Sequence, residues 1–124
     1  MTNQELVKRL LETAGSNGVI TAIHQWLGHD VQVEIGFSSG SCSMSIEEIN
    51  FSVRSMNALK RAGLFTIGDV IGAISNDDLL KVRNLGRKSL TEIKEKVLQF
   101  GYDRLSVVEK QTFFLTLTER NGRA

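Results

Sequence analysis

Cysteine is nearly absent from this sequence: Cys42 stands alone. A single thiol forms no internal disulfide and holds no structural zinc, so neither staple nor metal organises the fold. In its Gly/Ser-rich surroundings Cys42 reads as a spare thiol rather than a nucleophile. Long apolar runs are missing as well. No stretch approaches the roughly 20 residues of a membrane span, and the N-terminus has no apolar signal-peptide core. The expectation is a soluble, cytoplasmic protein with no membrane contact. Excess charge is also lacking. The formal net charge of +1 excludes a histone-like or polybasic protein, yet it leaves nucleic acid open as a partner, because a binding face needs local rather than global charge. His24 and His29 flank Trp26 without a Cys, Asp or Glu constellation to complete a metal site. The protein is therefore read as non-enzymatic, without metal or cofactor.

What is present is helical patterning. The 124 residues suffice for one ordinary domain, or a small one with an attached element. Thr2 and Glu5 form a capping-box pair ahead of Leu6, Val7, Leu10, Leu11 and Ala14 on one face, with Gly15 as the expected stop. Asn17 opens a second amphipathic stretch carrying Val19, Ile20, Ile23, Trp26 and Leu27. These two stripes predict a helical hairpin that needs cover. Two covers stay open for the hairpin, residues 3–28: packing of Trp26 and its aliphatic neighbours on the adjoining module, or the seam of a homodimer. From Val31 to Phe37 apolar residues alternate with polar or small ones, the period of a half-buried strand. Residues 38–45, SSGSCSMS, read as a linker. Residues 1–37 are then an accessory element and residues 46–101 a separate domain.

Within 46–101 the caps follow closely. Ser45 with Glu48 marks a short turn. Ser52 caps a helix through Ala62, with Val53, Met56, Leu59 and Ala62 expected inward and Gly63 as the stop. Thr66 with Asp69 opens the next, and Ser75 a short one bearing Leu79, Leu80 and Val82. A last helix presents Leu90, Ile93, Val97 and Phe100 and closes at Gly101. The predicted fold is mainly α, a compact bundle of four or five short helices. In the tail, 102–124, Ser106 with Glu109 opens a helix to about Gln111. The β-formers of Thr112–Thr118 then suggest a strand pairing with Val31–Phe37 in a small two-stranded accessory sheet.

The segment from Asp78 to Ile93, DLLKVRNLGRKSLTEI, reads as helix, tight turn, helix: a helix-hairpin-helix. Gly86 allows close backbone approach to a phosphate, and the free N–H groups of the following helix start make an anion site. Arg87, Lys88 and Ser89 add two charges and a hydroxyl there. Basic residues at a helix start oppose the dipole, by a few tenths of a kcal/mol in order of magnitude, which makes better sense if an external anion occupies the site.

Ser52-Val53-Arg54-Ser55-Met56-Asn57-Ala58-Leu59-Lys60, then Leu64 to Asp69, then Asn84 to Ser89 with Glu92-Ile93, resemble the C-terminal domain of the bacterial RNA polymerase α subunit. The likeness covers a little under half of the sequence. It implies binding to the minor groove of A/T-rich promoter DNA, with Arg54 entering the groove and Asn57 beside it. Lys81, Gly86, Lys88 and Ser89 would hold phosphates, and Glu92 would support Arg54. A narrow A-tract groove attracts an inserted arginine by its enhanced negative potential. The resemblance also implies an acidic σ-facing patch. Glu47 and Glu48 keep acid there, Asn50 stands where a second acid is common, and the bland reading of the pair is helix-start acids. Asp77 and Asp78 read first as a cap and second as an activator contact. Ala58 stands where many family members have Cys. The α subunit's assembly domain is not recognisable in residues 1–37, so a free-standing module with an unrelated N-terminal extension is expected. Two other readings stay open: an adaptor whose partner is σ factor, an activator or polymerase, and a sequence-neutral helix-hairpin-helix accessory.

Overall fold

The computed structural model describes residues 1–31, 33 and 36–121. They form α1 (Asn3–Asn17), α2 (Val19–Trp26), α3 (Ser39–Cys42), α4 (Val53–Arg61), α5 (Ile67–Ser75), α6 (Arg87–Asp103) and α7 (Val107–Arg120), with 3-10 turns at Ile46–Glu48 and Asp78–Lys81. The mainly helical expectation holds. The protein divides into two compact units, Met1–Ile35 with Gly101–Ala124, and Gly36–Phe100.

In the first unit Thr2 accepts the Glu5 N–H and starts α1, but the helix does not stop at Gly15. It runs on to Asn17, and the left-handed residue is Gly18, at φ 93°. An N–H donated by Gly18 to the Ala14 carbonyl closes the turn. Leu6, Leu10 and Ala14 are buried, as are Val19, Ala22, Ile23 and Leu27 from the second stretch. α1 packs on both α2 and α7, so α7 adds cover to the hairpin within this unit. The Trp26 indole donates to Thr13 Oγ1 at 2.9 Å, and Arg9 lies over its ring at 5.4 Å.

The expected accessory sheet is corrected. Residues 112–118 are helix, and no strand occurs among the described residues. Residues 32, 34 and 35 of the other expected strand lie outside the described residues. Ser106 and Glu109 close a complete capping box, which launches a helix that Thr112–Thr118 then continue. Phe114, Leu117 and Thr118 bury themselves at helical spacing while Leu115 stays exposed, so the alternation of Phe113, Leu115 and Leu117 has no buried face to serve. Tertiary burial overrides the β-propensity of single residues here. Tyr102, Phe113 and Phe114 form an edge-tilted aromatic cluster with centroids 5.1–5.9 Å apart.

The second unit is built around Ile46, Phe51, Leu59, Ile67, Val70, Leu79, Ile93 and Val97. Residues 38–45 are not a bare linker. Ser38 caps α3, Ser41 is buried, and an antiparallel bridge joins Ser45 to Thr66 through Ile46 N–H to Phe65 O and Ile67 N–H to Met44 O. Gly68 permits this approach, since a Cβ there would meet Cys42 O at 3.0 Å and Cys42 Cβ at 3.1 Å. Thr66 and Asp69 complete a capping box for α5. Ser75 ends that helix instead of opening the next, and the following turn starts at Asp78. α6 continues past Gly101 to Asp103.

The Thr118 hydroxyl is fully buried without a hydrogen-bond partner among the described residues, which costs free energy on folding. Thr118→Val is expected to raise stability by about 1 kcal/mol. Phe114→Ala, which empties the centre of the same unit, is expected to lower it by about 3–5 kcal/mol. Urea unfolding followed by circular dichroism measures both, and a loss of stability in Thr118→Val would contradict the first.

Candidate nucleic-acid interface

α4 begins at Ser52, whose Oγ accepts the Ser55 N–H at 3.2 Å. In a capping box the N3 residue would be Glu or Gln and would take the N-cap N–H. Here N3 is Ser55, and the missing carboxylate comes from α6. Glu92 Oε2 accepts the Ser52 N–H at 2.7 Å, and Oε1 accepts the Ser52 hydroxyl at 2.8 Å and the Ser55 hydroxyl. Lys96, one turn further along α6, pairs with Glu92 Oε2 at 3.0 Å and donates to the Asn50 carbonyl. Burial disfavours the Glu92 charge. Hydrogen bonds from Ser55, the Ser52 N–H, Lys96 and the Ser52 hydroxyl outweigh that and hold its pKa down at about 2.

This junction turns α4. Ser55, Ala58 and Leu59 are buried, while Val53 is 77% exposed and Ala62 also faces solvent. The expected inward placing of Val53 and Ala62 is thus corrected, because the face carrying Ser55 is drawn to Glu92. Arg54 and Asn57, three residues apart, share an exposed face of the helix. Arg54 has no ion pair or hydrogen bond among the described residues. Glu92 does not pair with it; the carboxylate supports the helix start that carries Arg54.

The residue ahead of α6 is a glycine, Gly86, which has no side chain with which to cap it. The helix's first residue is Arg87, and its first turn holds no acid. The N–H groups of Arg87, Lys88 and Ser89 have no intrahelical acceptor, and the first ladder bond runs from Leu90 N–H to Gly86 O. Gly86 is exposed, has no positive φ, and a Cβ there would meet nothing. The turn's left-handed residue is Asn84, at φ 66°. Neither backbone strain nor internal packing therefore requires glycine at 86. Lys88 is exposed and Ser89 buried. Lys88 and Glu92 are one turn apart, about 6 Å along the axis, so the start of α6 and the start of α4 meet at one junction.

The remaining candidates lie elsewhere in the unit. Lys81 is exposed and pairs with Asp78 at 3.5 Å. Asp77 occupies the cap position of the Asp78–Lys81 turn, in the left-handed region at φ 57°, but its side chain makes no cap bond there. Of the acids entering the domain, Glu47 pairs with Lys60 at 2.9 Å, and that hydrogen bond holds its carboxyl below the ordinary range. Glu48 is exposed. His24 and His29 stack with centroids 4.1 Å apart, and no group of three or more metal-ligating side chains occurs among the described residues. No helix among them is long and apolar enough to cross a membrane.

Residues 38–99, half of the protein, match the family described as the C-terminal domain of the bacterial RNA polymerase alpha subunit. The protein belongs to this family. It is similar to DNA-directed RNA polymerase subunit alpha of Symbiobacterium thermophilum, at 52% identity over 58 residues, and of Clostridium perfringens, at 53% over the same length. The corresponding subunit of Moorella thermoacetica is 52% identical over 58 residues. Each alignment covers 47% of this protein but only 18% of the relative, so the sequence spans about a fifth of the length of these subunits. No solved structure matches it. The C-terminal domain of the alpha subunit is a non-catalytic part of the polymerase, in keeping with the non-enzymatic reading.

Sequence reasoning missed Lys96, Ser52 and Ser55 as members of the junction. The Glu92–Lys96 spacing of four was visible, but its link to Ser52, forty residues away, was not. Glu92's pKa is depressed from 4.5, so its stabilisation is fully present above pH 4.5 and is lost as the pH falls toward about 2. Acid unfolding of the wild type is expected to carry this limb, worth on the order of 2 kcal/mol. Glu92→Gln should lower stability at neutral pH and flatten the dependence over that window. Equal acid limbs in the two proteins would contradict the assignment.

Proposed function

We propose that this alpha-type domain binds the minor groove of A/T-rich double-stranded promoter DNA, in association with the bacterial transcription machinery of the cytoplasm. The observation that carries the reading is the junction itself. One helix start presents an unpaired Arg54 with Asn57 beside it, and the adjoining helix start follows a glycine and presents its N–H groups with Arg87 and Lys88 and no acid. Arg54 enters the groove, where narrowing over A-tracts strengthens the negative potential. Gly86, Lys88 and Ser89 hold the flanking phosphate on the helix N-terminus. Lys81 adds a phosphate contact once released from Asp78. Preference is for A·T over G·C by groove shape and the missing guanine amino group, not by a full base code.

Family membership independently supports a polymerase-associated role, and it favours a second reading in which the domain is a protein adaptor. Exposed Glu48, with Glu47 and Asp78 partly engaged by lysines, supplies an acidic edge for σ factor, an activator or polymerase.

Fluorescence anisotropy with an A-tract duplex and a G/C duplex across a salt series separates the readings. The wild type is expected to prefer the A-tract and to weaken steeply with salt. Arg54→Ala should cost about 1–3 kcal/mol and abolish the preference, while Lys88→Ala should weaken both duplexes alike and reduce the salt slope by about 1. Equal binding of both duplexes by the wild type points to sequence-neutral contact. No binding at low salt rejects the DNA reading in favour of the adaptor.

A further inference from the structure

Lys96 lies on α6 rather than on the helix that carries Arg54 and Asn57, yet it is bonded to the segment that launches that helix and to the carboxylate that caps it. Its ammonium pairs with Glu92 Oε2 at 3.0 Å and donates to the Asn50 carbonyl, while Glu92 takes the Ser52 N–H at 2.7 Å. Two residues one turn apart on α6 therefore clasp the backbone on both sides of Phe51, which is buried. We infer that Lys96 is a positioning residue for DNA contact: by occupying Glu92 it leaves Arg54 unpaired, and by holding Asn50 it fixes where α4 begins.

The electrostatic reason is a competition. Glu92 is a carboxylate at the centre of a surface that must accept phosphate, and its side chain is still 20% exposed. Two serine hydroxyls and one backbone N–H satisfy its oxygens without neutralising it. Lys96 supplies the only cation on Glu92 among the ion pairs of the described residues. Arg54 lies two positions beyond Ser52, and a guanidinium is a strong bidentate partner for a carboxylate. Without Lys96 the bare charge draws Arg54 inward, and the group meant for the groove is engaged within the protein. With Lys96 in place, Arg54 is free in the unbound protein and breaks no ion pair before it binds.

This inference rests on the DNA reading, and its test distinguishes the two. A-tract affinity and its salt slope are measured for the 124-residue protein as wild type, Lys96→Met, Lys96→Arg, Glu92→Gln and the Lys96→Met/Glu92→Gln double variant, with helicity and melting checked for each. Lys96→Met is expected to weaken binding about three- to tenfold at an unchanged salt slope, because Lys96 touches no phosphate. Lys96→Arg should restore most of the loss. In the Glu92→Gln background the same Lys96→Met change should matter less than about twofold, since there is no bare charge left to capture Arg54. Wild-type-like binding by Lys96→Met overturns the inference. So does a salt slope reduced by about 1, which marks a direct phosphate contact, and so does an equal loss in both backgrounds. Failure of the wild type to bind DNA overturns the DNA reading and this inference together; any of the other three contrary results overturns the inference alone.

Discussion

A single carboxylate organises the junction of α4 and α6. Glu92, in the second turn of α6, closes the N-terminus of α4 by taking its first N–H and both flanking hydroxyls. An acid at a helix N-terminus is favoured by the dipole and by the unsatisfied donors there. Usually the same helix provides it. In this protein a helix forty residues away does so, and the capping interaction becomes a tertiary joint. The burial pattern of α4 follows from it: Ser55 turns inward, Val53 turns out, and Arg54 with Asn57 is left on an open face.

The two helix starts have opposite electrostatics, and the contrast supports the proposed reading. α4 receives an acid from outside itself. α6 has none in its first turn, holds two basic residues there, and follows a glycine that neither φ nor packing requires. A helix start lined with positive charge is unfavourable in isolation and favourable beside an anion. Lys96 balances the charge of Glu92, so that the joint places no net negative charge where phosphate is expected. The lysine and the glutamate together let an acid perform a structural task within a surface suited to a polyanion.

Much of the local architecture was legible in the sequence. Thr2, Ser52, Thr66 and Ser106 all cap helices where the pattern placed them, and Gly63 ends α4 at φ 79°. These signals are read within three or four residues, and their physics is equally local. Where burial decides, the reading failed. The alternation in Thr112–Thr118 suggested a strand, but α7 keeps the helix begun at Ser106, and Phe114, Leu117 and Thr118 are buried together at helical spacing. Val53 was expected inside on hydrophobicity alone and is exposed.

The sequence by itself determined that the protein is helical, that it starts and stops helices at most of the observed places, and that residues 38–99 belong to a known DNA-directed polymerase family. It also offered the side chains chemically suited to the proposed interface, Arg54 and Lys88 foremost. Only the tertiary structure decided which of them stand free. Whether a charged group is available depends on its neighbours in space, and those neighbours come from distant parts of the sequence: Ser52 to Glu92, Asn50 to Lys96, Glu47 to Lys60. Periodicity and capping report interactions across a turn of helix. They carry no information about which two turns will meet.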